Sequence, residues 1–228
     1  MRIEPELSAA GIVLRGSFNP KIFQPFWFAL HGLISNDAAE AAEVSVVHPE
    51  ITVFQVESMF ELQVQRDLFQ IGRAVAPLIF ISDLVVRIFT DLLPHTPINQ
   101  MGINRYVHFD VGDTERRDRI GEMLAPRTPW GRWGEEVSSG AGPKHGGLLS
   151  LTLIQRDLCD REAGSLHARV EPSARIREGQ TGIFMEVNDH YEFKEPEAIE
   201  IMKLLQEKWD KSMRRSEGII DQIMSLKP

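Results

Sequence analysis

The chain has 228 residues, of which 43% are hydrophobic and 25% are charged, a balance typical of ordinary globular proteins. This composition argues against extensive disorder, and the length allows one large domain or two small ones. The net charge of −8 disfavours a basic surface for nucleic acid or anionic membranes. The single cysteine, Cys159, excludes an intramolecular disulfide and fits a reducing compartment.

The most hydrophobic region, residues 74–93, is predicted to be a soluble helix rather than a membrane span. Asp83, Arg87 and Asp91 interrupt it at intervals of four residues, which places all three on one helical face. A membrane-spanning helix needs about 20 residues without such a charged stripe. The first residues of the chain contain two acids and no apolar run of signal-peptide length. We therefore expect a cytoplasmic protein that does not contact a membrane.

The first half of the chain is predicted to contain most of the strands and two helices. Pro25 suits the first turn of a short helix, and Ser82 can cap a longer helix that ends before Pro94. The strands are predicted from the alternation of apolar and polar residues with a period of two. In chain order they cover residues 11–18, 44–48, 51–56, 60–65, 68–73 and 103–111.

The second half is predicted to contain two further helices and three strands. Asp113 or Thr114 can cap the first of these helices, and the closing helix begins near Pro196. Residues 126–134 indicate an aromatic loop whose two tryptophans cover the edge of a core. Residues 138–147, rich in glycine and serine, indicate a flexible loop. The predicted strands cover residues 147–155, 165–171 and 182–187.

Blocks of strands followed by helices predict an α+β fold, with an antiparallel sheet and helices packed on one face. The two halves share this order, which suggests two similar halves, although no sequence period supports a duplication. We expect an N-terminal half of strands and helices at residues 1–137 and a flexible loop at 138–147. A C-terminal half of three strands and a helix would follow at 148–228, in one compact domain.

Polar side chains alternate with apolar ones on several of the predicted strands. If those strands share a sheet, one face of the sheet carries a broad polar surface. Such a face can simply meet solvent, or it can bind a ligand or another subunit, to which Tyr, His and Arg are suited. The candidate binding face consists of Asn104, Tyr106, His108, Asp110, His167 and Arg169.

A metal site is the alternative interpretation of the same residues. His108 and Asp110 point to the same side of one strand, and a distant His167 would complete the two-histidine, one-carboxylate set of non-haem iron enzymes. Arg175 or Arg177 could then bind the carboxylate of a cosubstrate. The His-x-Asp pattern is common by chance, and the long helices fit poorly with the strand-only barrel of such oxygenases.

Other chemical signatures are weak or missing. The glycine-rich loop at 140–147 contains Lys144 but no Gly-Lys-Ser/Thr end, so it does not predict a phosphate site. No Gly-x-Ser-x-Gly elbow is present, and Cys159, which lies between aspartates, is not predicted to be a nucleophile. The acids around Cys159 are most simply a solvated turn. Four arginines could contact nucleic acid, but nearby acids and the net charge disfavour it: Arg105, Arg116, Arg117 and Arg119.

The chain resembles a sporadically distributed family of uncharacterised bacterial proteins of about this length. The resemblance rests on the Arg105-Tyr106-Val107-His108 strand, the Val187-Asn188 pair and the closing helix through Trp209. His108 stands where that family has asparagine. The resemblance implies a bacterial protein with an α+β fold, and it carries no known activity, cofactor or site residue.

The sequence as a whole favours a non-enzymatic binding protein of the bacterial cytoplasm that acts through protein–protein contacts. The partner is another protein or a second copy of the chain, and a homodimer is the expected form because it would protect sheet edges. No cofactor and no catalytic residue is predicted. The alternative is a metal-dependent oxygenase or hydrolase that uses His108, Asp110 and His167.

Overall fold

The computed structural model describes residues 3–138, 146–194 and 197–226. Its strands form one nine-stranded antiparallel sheet in the order β2-β3-β4-β5-β1-β6-β9-β8-β7. The strands are β1 (Leu7–Gly16), β2 (Glu43–His48), β3 (Ile51–Val56), β4 (Phe60–Gln65), β5 (Leu68–Arg73), β6 (Ile98–Asp110), β7 (Leu151–Gln155), β8 (Gly164–Pro172) and β9 (Gly182–Glu192).

The helices pack against one face of this sheet, as the sequence predicts. The longest one, α6, lies across β6 and β9, and α3 contacts α6 as well as β1 and β5. A π-helical turn, Ile88–Leu92, follows α3 directly. The helices are α1 (Pro25–Leu30), α2 (Asn36–Glu40), α3 (Phe80–Arg87), α4 (Thr114–Leu124), α5 (Gly131–Ser138) and α6 (Ala198–Met224). The α+β fold with an antiparallel sheet is therefore confirmed.

The order of the strands repeats the same plan in each half of the chain. From β1 at the centre, the chain passes through α1 and α2 to the outer strand β2 and returns strand by strand to β5, beside β1, before α3. From β6, next to β1, it passes through α4 and α5 to the outer strand β7 and returns to β9, beside β6, before α6. The two halves of this plan meet between Leu92 and Ile98, within one continuous sheet. The predicted loop at 138–147 belongs to the second half, and residues 139–145 lie outside the described residues.

The core lies between the sheet and the helices. Aromatic rings fill it beneath the first half: Phe28 of α1 contacts Phe54 of β3 and Phe60 of β4, with ring centroids 5.6 and 5.5 Å apart. A smaller cluster beneath the second half joins Phe109 and Met185 to Ile220 of α6. Burial of each such side chain contributes roughly 1.5–3 kcal/mol, so these two clusters hold the helices on the sheet.

The predicted capping residue of helix α4 is confirmed, and the predicted capping residue of α3 is wrong. The Asp113 carboxylate accepts a hydrogen bond of 2.7 Å from the Arg116 N–H and caps α4. Ser82 does not cap α3; the helix begins at Phe80, and Ser82 is buried within its first turn. Asp83 and Arg87 of this helix are exposed to solvent, as their spacing predicts. In the described ranges, no helix is both long and apolar enough to cross a membrane.

The prediction of an aromatic loop at 126–134 is wrong. A short 3₁₀ turn at Thr128–Trp130 leads into α5, and the rings of Trp130 and Trp133 meet edge to face with centroids 5.3 Å apart. Their residues are 62% and 59% exposed, so they do not cover the core. The two glycines and two prolines suggest a loop, but the residues from Gly131 onward can form a helix because only its first turn contains unfavourable residues.

Candidate functional site

The face of the sheet opposite the helices carries all six candidate binding residues. Strand β9 lies between β6 and β8, and the register places residues of the three strands side by side in rows. One row is Asn104, Asn188 and His167, and the next is Tyr106, Glu186 and Arg169. The prediction that these strands share one polar face is correct. We call the residues of β6, β9 and β8 on this side the polar face.

The sequence interpretation made the middle strand of the polar face, β9, too short. It ended β9 at Val187, whereas β9 continues to Glu192. Glu186, Asn188 and His190 therefore all lie on the polar face, while Val187 and Asp189 between them are buried. This alternation is visible in the sequence and could have predicted the longer strand.

The side chains of the polar face bind one another. Arg169 Nη2 donates to Glu186 Oε2 at 2.5 Å, and Nη1 donates to Glu171 Oε1 at 3.3 Å. The Ser165 hydroxyl shares a hydrogen bond of 2.8 Å with His167 Nε2, and His108 Nδ1 shares one of 2.7 Å with the Ser173 hydroxyl. Most of the polar groups thus already have a partner, which holds the face in one arrangement.

Burial shifts the pKa of three ionisable groups of the polar face, two imidazoles and a phenol. Burial lowers the pKa of His108, and the nearby Arg175 lowers it further. Burial also lowers the pKa of His190, more than Glu192 raises it. Burial and the charge of Glu186 raise the pKa of the Tyr106 hydroxyl. At neutral pH the two imidazoles and the phenol are therefore neutral, and Arg169 is balanced by Glu186.

Two glycines allow the large side chains to lie flat on the sheet. A Cβ atom on Gly11 of β1 would lie 3.0 Å from Cε2 of Tyr106, so the tyrosine ring occupies the space above this glycine. A Cβ atom on Gly102 would lie 3.0 Å from Oδ1 of Asn188. Asn104, in the same area, is only 2% exposed even though it lies on the face away from the core. The polar face is therefore smooth and closely packed at its centre.

The structure does not bring together the three residues of the alternative metal site. His108 lies beside Phe184 of β9 and His167 beside Asn188, so the histidines are two strands apart and offset by four residues. This corresponds to about 10 Å across the strands and about 13 Å along them, too far to share one ion. Asp110 pairs with Arg177 at 2.8 Å. Across the described parts of the chain, no three His, Cys, Asp or Glu side chains form a metal-ligand group.

Two of the four arginines considered for nucleic acid, Arg105 and Arg117, have several partners within the fold. Arg105 is 5% exposed, pairs with Glu217 of α6 at 2.6 Å and donates to the Ser8 hydroxyl at 2.7 Å. Arg117 pairs with Asp118 and donates to the carbonyl oxygens of Gly179 and Gln180. The Arg105 guanidinium is therefore engaged in holding α6 to the sheet, and that of Arg117 in holding α4 to the turn before β9.

A second cluster of charges lies on the helix side of the sheet, next to the turn that follows β7. Its central pair is Arg161, from that turn, and Asp189 of β9, at 2.6 Å with side chains 4% and 1% exposed. Arg161 also binds Asp160 and lies 3.8 Å above the Tyr191 ring. Arg215 of α6 binds Asp160 at 2.6 Å and Asp189 at 3.3 Å. We call Asp160, Arg161, Asp189, Lys211 and Arg215 the ion cluster.

The ion cluster corrects the interpretation of Asp160 as part of a solvated turn. Its carboxyl is buried, which by itself raises the pKa, but hydrogen bonds from Arg161, Lys211 and Arg215 outweigh this and hold the pKa well below the usual range. The charged form is therefore the stable one. Since each acid and arginine of the ion cluster has a charged partner, the cluster fastens the turn after β7 to α6 and β9 rather than offering a reactive group.

The two edges of the sheet differ in the way they are protected. The β2 edge has a bulge between Val44 and Val46, a common device that prevents an edge from pairing with another strand. The β7 edge pairs with β8 in unbroken register, and residues 146–155 contain no charge and no proline. Leu153 and Ile154 are 65% and 46% exposed and point to opposite faces. Strand β7 therefore combines exposed apolar side chains with an edge that carries no charge, no proline and no bulge.

Comparison of the chain with protein-family models gives no match, and comparison with curated proteins gives none either.

Proposed function

We propose that this protein is a non-enzymatic binding protein of the bacterial cytoplasm that acts through protein–protein contacts, with β7 as the strand that receives its partner. The observation that supports this most directly is the uncharged, regularly paired β7 edge. Natural edge strands usually carry a lysine, a proline or a bulge that prevents pairing, and β7 has none of these. The exposed, lone Cys159 fits a reducing compartment.

The partner binds by adding an extended strand to β7. The outward N–H and C=O groups of β7 form the ladder, and each net hydrogen bond contributes about 1 kcal/mol. Leu153 and Ile154 then pack against side chains on the two faces of the added strand. Ile154 lies beside His167 and Thr152 beside Arg169, so the added strand continues the rows of the polar face. In this proposal, β7 supplies affinity and the adjacent polar rows supply selectivity.

A labelled peptide tests strand addition directly. The probe is a fluorescein-labelled peptide with the sequence of residues 148–156, and its anisotropy is measured against nanomolar to micromolar protein. We expect saturable binding that Ile154→Lys weakens about tenfold, equivalent to ~1.4 kcal/mol, because a charge would then lie against the apolar strand. Val47→Lys, on the opposite edge, should leave binding unchanged.

The peptide itself needs a matched control. A second peptide with proline in place of Leu153 retains most of the apolar side chains but lacks one backbone donor, and it should bind much more weakly. Absence of saturable binding by the first peptide, or equal binding by both peptides, would contradict strand addition at β7.

A further inference from the structure

We infer that the strand received by β7 is β7 of a second copy of this chain, paired antiparallel about a two-fold axis at Leu153. This inference rests on the proposed function and specifies its partner. The segment 146–155 is uncharged along its whole length, so two copies can approach without repulsion between like charges. Isologous contacts of this kind, in which the same surface meets itself, are the commonest form of protein dimer.

The two-fold register places compatible side chains opposite one another. Leu153 meets Leu153 of the second copy, on the helix side of the sheet, where its residue is otherwise 65% exposed. Thr152 meets Ile154 on the side of the polar face, and Leu151 meets Gln155. Opposed side chains on one face lie within contact distance, which covers both exposed apolar residues of β7.

The ends of the paired strands also avoid unfavourable contacts. In the same register, Arg156 of each copy lies opposite Ser150 of the other, so the first charge beyond β7 does not meet a like charge. The turn that follows is fastened by the ion cluster, in which Asp160 and Arg161 are 6% and 4% exposed. The charges of Asp160 and Arg161 therefore have partners inside their own copy.

The difference between the two edges makes this assembly a closed dimer. Pairing of β7 with β7 joins two nine-stranded sheets into one of eighteen strands and leaves a β2 edge at each end. The bulge in β2 blocks further addition, so the sheet does not continue into a fibre. A contact that consists mainly of a five-residue strand is at the small end of specific interfaces, so we expect a reversible dimer that depends on concentration.

Light scattering on a size-exclusion column over a range of concentrations tests the dimer. The mass should rise with concentration from 25.9 kDa toward twice that value. Leu153→Lys places two like charges at the two-fold axis and should keep the protein monomeric over the same range. Val47→Lys adds the same charge to the opposite edge and should dimerise as the wild type does.

Cysteine cross-linking tests the register, in a Cys159→Ser background that removes the native thiol. Across an antiparallel ladder, directly opposed Cα atoms lie about 4.5–5.5 Å apart, which suits a disulfide. Leu153→Cys should therefore form a disulfide-linked dimer under mild oxidation. Thr152→Cys would face position 154 of the other copy, and its own counterpart would lie on the diagonal, beyond disulfide reach, so it should cross-link much less.

The outcomes separate the inference from the proposed function. A monomer at all concentrations, together with saturable binding of the 148–156 peptide, would overturn self-pairing and leave strand addition intact. A dimer that survives Leu153→Lys, or equal cross-linking at positions 152 and 153, would overturn the proposed register. A monomer that also fails to bind the peptide would overturn both.

Discussion

Loss of one charge from the ion cluster should destabilise the protein strongly. In Asp189→Asn the side chain keeps its shape, so no cavity forms, but Arg161 loses its 2.6 Å ion pair and Arg215 its contact at 3.3 Å. Arg161 and Asp189 are almost completely shielded from water, so solvent cannot replace the lost partner. Removing one member of a buried ion pair costs about 3–5 kcal/mol, because the remaining charge is left uncompensated.

Urea unfolding, followed by tryptophan fluorescence, measures this loss. Trp209 of α6 is 3% exposed and reports on the helix that carries Arg215. We expect the free energy of unfolding to fall by about 3–5 kcal/mol at an unchanged slope against urea. Asp67→Asn is the matched control, since Asp67 pairs with Arg15 at 2.8 Å but both side chains are largely exposed. Surface pairs of this kind contribute about 0–1 kcal/mol.

A double variant measures how much of the loss comes from the charge that is left without a partner. Replacing Arg161 by Met in the Asp189→Asn background removes the orphaned charge, so the double variant should lose less stability than the sum of the two single variants. If Asp189→Asn costs no more than Asp67→Asn, the ion cluster is hydrated in solution and the argument from burial is refuted.

Two further changes test the packing and titration of the polar face. Gly102→Ala should lower the free energy of unfolding in urea by about 1–3 kcal/mol, because the new Cβ atom would press on Asn188 Oδ1. Gly72→Ala is the control: the nearest atom to its new Cβ is 3.8 Å away, so this change should be neutral or slightly stabilising in the same assay. The pKa of His190 is lowered in the folded protein, so as the pH falls below about 6.5 the unfolded chain binds a proton at this histidine before the folded protein does. The free energy of unfolding therefore decreases in that pH range. His190→Gln should reduce that decrease between pH 7.5 and 5.5; an unchanged pH dependence of the urea midpoint would contradict the assignment.

Local patterns predicted the hairpin of β4 and β5 with its observed bounds, Phe60–Gln65 and Leu68–Arg73. Strict alternation of apolar and polar residues specified β4 without help from the rest of the chain. The same alternation located the candidate residues on β6 and β8 but could not reveal that β9 lies between them. Strand order depends on contacts between distant segments, so it cannot be read from one strand at a time.

The ion cluster illustrates what the sequence could not predict. Asp160 and Arg215 are 55 residues apart in the chain and meet only because α6 lies over the turn that follows β7. In the sequence, Asp160 stands among other charged residues and resembles any solvated turn. Only the tertiary structure separates the buried Asp160 and Arg161 from the exposed Asp157 beside them.

The ion cluster and the β7 edge together explain how an edge strand without charges can remain ordered. The turn after β7 is fastened through Asp160 and Arg161 to α6 and β9, while β7 itself pairs with β8 along all five of its residues. The strand is thus held in an extended form before any partner arrives, which lowers the entropy lost on strand addition. If β7 only had to remain soluble, a charged side chain at position 153 or 154 would be the usual arrangement for an edge strand. The combination of a firmly held strand, exposed Leu153 and Ile154, and a bulged opposite edge therefore favours one specific contact at β7.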